Sequence, residues 1–143
     1  MDFEKRYSDL KREHQSANPF DHAYAFLDFH LEWAEAIKAT DPEGAIRQYG
    51  LAEDCQSTIG TGATSGGEGL ASMTALYEIM GKRADVIEGI ADAAADPAAA
   101  LKRLKEALAI WTEIEEDPNG LAELQPSASR LRRVQKKIAA RTR

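Results

Sequence analysis

A chain of 143 residues, 43% apolar and 29% charged, is long enough to bury a hydrophobic core and too apolar for disorder. Its single cysteine, Cys55, excludes an internal disulfide and a cysteine-cluster metal site, and no apolar run approaches the ~18 residues that span a bilayer. The net charge of −6 is unevenly placed: residues 1–129 carry 24 acids against 11 bases, whereas residues 130–143 carry seven bases and no acid. An acidic body repels nucleic acid, so such a role falls to the C-terminal segment alone.

The opening Met1-Asp2-Phe3-Glu4-Lys5-Arg6 lacks the apolar stretch of a secretory signal, and a cytoplasmic protein is expected. Four Asx-Pro steps punctuate the chain, at Asn18-Pro19, Asp41-Pro42, Asp96-Pro97 and Asp117-Pro118. The Asx oxygen satisfies the orphan N–H groups of a helix start, and proline next to it loses only a donor that had no partner. The predicted helices are therefore residues 2–15, 19–39, 42–58, 68–95, 97–116 and 128–141. The fourth step, followed by Asn119-Gly120, predicts only a turn or a short helix. No segment alternates with period two, so the fold class is all-α: a single-domain antiparallel bundle of five to six helices spanning 1–143.

Phe3, Tyr7 and Leu10 share one face of the first helix. The second carries half of the ten aromatics, and Phe20, Tyr24, Phe26, Leu27, Phe29, Leu31, Trp33 and Ile37 sweep an arc of about 220°. Such a helix belongs at the centre of a bundle or in an oligomer interface. His30, midway along that arc, reads as a buried, hydrogen-bonded imidazole. Asp21, Asp28, Glu32 and Glu35 fill the remaining strip.

In the third helix Ala45, Tyr49, Ala52 and Ile59 share a face. Gly60 to Gly69, with five glycines, is expected to be a flexible loop, and Ser65 and Glu68 form a capping box for the next helix. Ser65, Gly66 and Gly67 there, with Arg83 further on, are candidate anion-binding residues. Thr64-Ser65-Gly66-Gly67-Glu68-Gly69 echoes the serine-glycine run of the amidase-signature hydrolases, although that fold is several times longer and no partnering lysine can be placed.

Met73, Tyr77, Met80, Ala84, Ile87 and Ala91 alternate steps of four and three, the mark of a long helix packed along one seam. Glu78, Asp85, Glu88 and Asp92 form a narrow acidic strip on it. Glu32-x-x-Glu35 and Asp85-x-x-Glu88 together resemble the paired acids of the all-α nucleotide pyrophosphohydrolases, whose Glu-x-x-Glu and Glu-x-x-Asp hold magnesium. The resemblance implies Mg²⁺ on Glu32, Glu35, Asp85 and Glu88, in a chain whose second pair reverses the order of acids and lies about fifty residues downstream. A solvated polar strip accounts for the same acids.

Leu101, Leu104, Leu108 and Trp111 line the fifth helix. Ala45, Tyr49 and Ala52, and again Ala100, Leu104 and Ala107, resemble the small–aromatic–small spacing of tetratricopeptide repeats. The offset of 55 between the two Asp-Pro starts departs from their 34-residue unit, so the resemblance implies antiparallel helix pairing only. The last helix sets Leu131, Val134 and Ile138 on one side. Arg130, Arg132, Arg133, Lys136, Lys137, Arg141 and Arg143 occupy the rest, and the first six are the candidate partner-binding residues. They dock against acids of the body such as Glu113, Glu115 and Glu116, or they meet an anionic partner.

The functional expectation is a non-enzymatic helical protein acting through protein contacts or self-association, without a cofactor. A magnesium-dependent nucleotide enzyme and nucleic-acid binding by the last helix are the alternatives.

Overall fold

The computed structural model describes residues 2–142, and Arg143 of the basic set lies outside them. The chain is all-α and 82% helical, with no strand among the described residues. The helices are α1 (Phe3–Glu13), α2 (Pro19–Ile37), α3 (Pro42–Thr61), α4 (Gly66–Ala93), α5 (Pro97–Glu115) and α6 (Ser127–Arg141), with a 3₁₀ turn at Leu121–Leu124 before the last. The chain divides within α4 into two compact units, 1–76 and 77–143.

Three of the Asx-Pro steps act as predicted. Asn18, Asp41 and Asp96 cap α2, α3 and α5 by accepting from backbone N–H groups, with proline in the first turn of each. Asp117 plays a different part. Its carboxylate accepts from the Asn119 and Leu121 N–H groups and from the Tyr77 hydroxyl, winding the turn ahead of α6. Those bonds, Tyr77 first, hold Asp117 below its ordinary pKa. Burial, reinforced by the bond to Asp117, pushes the Tyr77 phenol up to about 12.

The expected loop of residues 60–69 is mostly helix. α3 runs on to Thr61 and α4 begins at Gly66, leaving only four residues between them. Gly60 serves a close approach: Gln56 Nε2 donates to Ser72 Oγ at 2.9 Å, and a Cβ on Gly60 would stand 3.0 Å from the same oxygen.

In the first unit α1 and α2 are antiparallel and joined by rings. Phe3 stacks on Trp33 at 5.6 Å, and Tyr7 packs on Phe26, Phe29 and His30. Leu10, Phe26, Phe29 and Trp33 are the core of that contact, with Cys55 beside it. Burial, then the neighbouring Asp54 charge, raises the Cys55 thiol to about 11, so little thiolate exists at neutral pH.

α2 and α3 form the other antiparallel pair. His30 is buried, and its Nδ1 donates to Gln48 Oε1 at 2.8 Å; burial holds its pKa below the usual histidine value, the bond to Gln48 opposing. Tyr49 donates to Glu35 at 2.5 Å, and its burial together with that carboxylate drives the phenol pKa upward. The aromatic arc of α2 is not fully enclosed: Phe20 is 42% and Tyr24 63% exposed.

The second unit runs up, down and up. Tyr77 and Gly81 of α4 meet Asp117, just past the antiparallel α5, and Trp111 in its C-terminal half, and α6 returns parallel to α4. The buried face of α5 is Ala100, Leu104, Ala107, Ile110, Trp111 and Ile114, a seam from which the expected Leu101 and Leu108 stand aside, half-buried. Trp111 is sealed in, and its indole N–H has no partner among the described residues. Its ring lies close enough to α4 that a Cβ at Gly81 would stand 2.8 Å from Cη2.

That contact generates a paired expectation. Gly81→Ala overpacks the Trp111 ring and should lower stability by about 1–3 kcal/mol. Gly89→Ala, on the same helix with nothing within 4 Å of the new methyl, should raise it by about 0.5–1 kcal/mol through helix propensity. Urea unfolding midpoints of the two variants check the opposite signs.

Candidate functional site

The acidic strip of α4 and the basic strip of α6 are one structure. Asp85, Glu88 and Asp92 are spaced by three and four residues, and Arg130, Arg133 and Lys137 repeat that spacing 45 residues later. On two parallel helices the equal spacing brings each acid to its base. Arg130 Nε donates to Asp85 at 3.0 Å, and Arg133 Nε to Glu88 at 2.8 Å. Lys137 Nζ donates to both Glu88, at 2.6 Å, and Asp92, at 2.9 Å. A second guanidinium nitrogen of Arg133 closes a bidentate pair on the other Glu88 oxygen.

Glu88 is the centre of this ladder, since it is only 2% exposed while its neighbours Asp85 and Asp92 are partly open to solvent. Burial alone would raise its pKa. The bonds and charges of Arg133 and Lys137 outweigh that and hold it below the ordinary value of 4.5, and both bases are raised in turn. The outer pairs are half-exposed and individually contribute little, whereas the central acid, once desolvated, must keep its partners.

The last helix therefore docks on its own body. Its apolar anchor is Val134, fully buried between half-buried Leu131 and Ile138, and Ser127 at its start donates to Glu115 at 2.7 Å. The acids that receive it are Asp85, Glu88 and Asp92. The expected Glu113, Glu115 and Glu116 meet no base of α6 among the described residues. Of the six described candidate partner-binding bases, Arg130, Arg133 and Lys137 are engaged internally. Arg132, Lys136 and Arg141 pair with no described acid.

The four acids of the expected magnesium site are divided between the units. Glu32 and Glu35 lie in the first, with Glu35 held by Tyr49 and by Lys38 at 2.8 Å. Asp85 and Glu88 lie in the second, their oxygens facing Arg130, Arg133 and Lys137. Among the described residues no group of three or more His, Cys, Asp or Glu is arranged to hold a metal ion.

Two of the candidate anion-binding residues, Ser65 and Arg83, already have partners. Ser65 Oγ accepts from the Glu68 N–H at 3.1 Å, and the Glu68 carboxylate accepts from the Thr64 N–H and hydroxyl. Those two bonds, the backbone one first, lower the Glu68 pKa. Arg83 is half-buried and has a partner.

The chain matches no protein-family model, and neither the curated proteins nor the solved structures include one significantly similar to it. No helix among the described residues is long and apolar enough to cross a membrane.

The Glu88 contacts set a pH expectation. A carboxylate whose folded pKa is depressed stabilises the fold above its unfolded value, and that contribution is lost as pH falls through the folded one. The difference in unfolding free energy between wild type and Glu88→Gln should be constant above about pH 5 and should shrink progressively below about pH 4.5. Urea titrations of both proteins across that range measure it.

Proposed function

We propose that this chain is a non-enzymatic helical protein that works through protein–protein contacts, as an adaptor, regulator or assembly subunit. One observation carries the reading: Phe20 and Tyr24, one turn apart at the start of α2, leave two aromatic rings 42% and 63% exposed. Aromatic side chains bury large area at low entropic cost, and tyrosine is enriched among the residues that dominate association energy. The acids Asp21 and Asp28 beside them are exposed as well and supply a polar rim. The basic helix is a weaker carrier, because Arg130, Arg133 and Lys137 are already neutralised by α4.

Wild type and a Phe20→Ser/Tyr24→Ser variant are compared by light scattering and by affinity capture. The expected outcome is a mass above the 15.7 kDa of one chain, or a captured partner, in the wild type, lost in the variant without loss of helicity. A wild type that is monomeric and captures nothing the variant fails to capture contradicts the reading. Turnover of any member of a nucleotide panel contradicts its non-enzymatic part.

A further inference from the structure

The face of α5 turned away from its buried seam carries its charges in mirror order. Lys102 and Lys105 stand seven and four residues before Ala109, and Glu113 and Glu116 stand four and seven residues after it. Steps of three and four keep all five on one side of the helix, and all five are exposed. None of the four charges makes an ion pair among the described residues. Arg103 and Glu106, beside them, hold one another at 3.0 Å.

Nothing within α5 explains that order. Lys105 and Glu113 are roughly 12 Å apart along the axis, beyond the three- and four-residue spacing at which helical side chains meet. Glu113 and Glu116 also gather at the C-terminal end, where the helix dipole favours bases, and no base lies in the last turn. What the order fits is a helix of the same sequence running the other way. A two-fold axis through Ala109 sets each residue before it opposite the residue equally far after it in the second copy. Lys105 then meets Glu113 and Lys102 meets Glu116, twice over. Ala109, on the axis, has only a methyl group to hold the two backbones apart. Beside the stripe, Tyr77, Leu108 and Pro118 border an open trough of about 570 Å³, which gives the contact an apolar flank within the same unit.

We propose that α5 is the two-fold interface of a homodimer. A second copy lies antiparallel across Ala109, with Lys102 opposite the partner's Glu116 and Lys105 opposite the partner's Glu113. An isologous contact needs a single self-complementary patch, and this stripe is self-complementary in charge. It uses neither Phe20 nor Tyr24, so it does not depend on the role given to those rings.

The test is charge reversal, read by sedimentation equilibrium of the full chain at up to about 1 mM. The wild type should dimerise with a Kd of about 0.1 mM, as suits a small polar contact. Lys102→Glu/Lys105→Glu makes the stripe all acid, and Glu113→Lys/Glu116→Lys makes it all base. Each should weaken self-association about tenfold or more, because like charges then face one another. Mixed one to one, the two variants should recover a dimer. All four positions are exposed, and circular dichroism should show both variants as helical as the wild type. A wild type that stays at the 15.7 kDa of one chain, reversed variants that associate undiminished, or a mixture no heavier than its components overturns the proposal. The Phe20→Ser/Tyr24→Ser variant should dimerise as the wild type does; loss of the dimer there assigns self-association to α2 and overturns the α5 interface, while leaving the interaction role standing.

Discussion

A buried carboxylate that must remain charged is the constraint around which the second unit is built. Glu88 lies on the inner side of α4, almost without solvent, and its two oxygens are met by Arg133 and Lys137 one helical turn apart on α6. A desolvated charge is tolerable only with such partners, so the register of α6 along α4 is fixed to within a turn. Asp85 with Arg130 and Asp92 with Lys137 extend the match to either side, while Val134 closes the apolar seam. The charge asymmetry of the sequence is in this way a folding device: much of the basic segment's charge is met by a strip of acid 45 residues earlier.

The helices themselves are legible in the sequence because their signals are local. Asx-Pro caps, the capping box at Ser65 and the four-three apolar steps lie within a few residues of the backbone they organise, and five of the six helices begin within a residue of their expected positions. The glycine-rich stretch misleads for a physical reason. Glycine permits flexibility, but it equally permits two helices to approach, and only the position of Ser72 opposite Gly60 and Gln56 decides between them. The ladder is hidden for the opposite reason: its partners are far apart in sequence, and nothing local distinguishes a solvated acid from a paired one. The identical spacing of Asp85, Glu88 and Asp92 with Arg130, Arg133 and Lys137 is the available signal. It becomes meaningful once α4 and α6 are taken as parallel.

The first unit is organised by aromatic packing. Rings from α1 and α2 interlock, buried His30 pairs with Gln48, and buried Tyr49 donates to the exposed carboxylate of Glu35. What this unit leaves uncovered is at its margin: two exposed aromatic rings at the start of α2. Of the candidates read from sequence, the bases of α6 divide into an engaged trio and a trio without acid partners, and the acids of α4 become structural partners. Tyr24 and Phe20 look like core on a helical wheel. Burial on a helix is graded, and a wheel drawn from sequence does not say where the covering ends.

A double-mutant cycle between Glu88 and Arg133, read by urea unfolding at neutral pH, tests most directly the claim that a buried carboxylate sets the packing of α6. Glu88→Gln, Arg133→Met and the double variant should show a coupling free energy of about 1–3 kcal/mol, with the double variant less destabilised than the sum of the singles. A coupling indistinguishable from zero would mean that Glu88 is not held by α6, and the account of the second unit would fail.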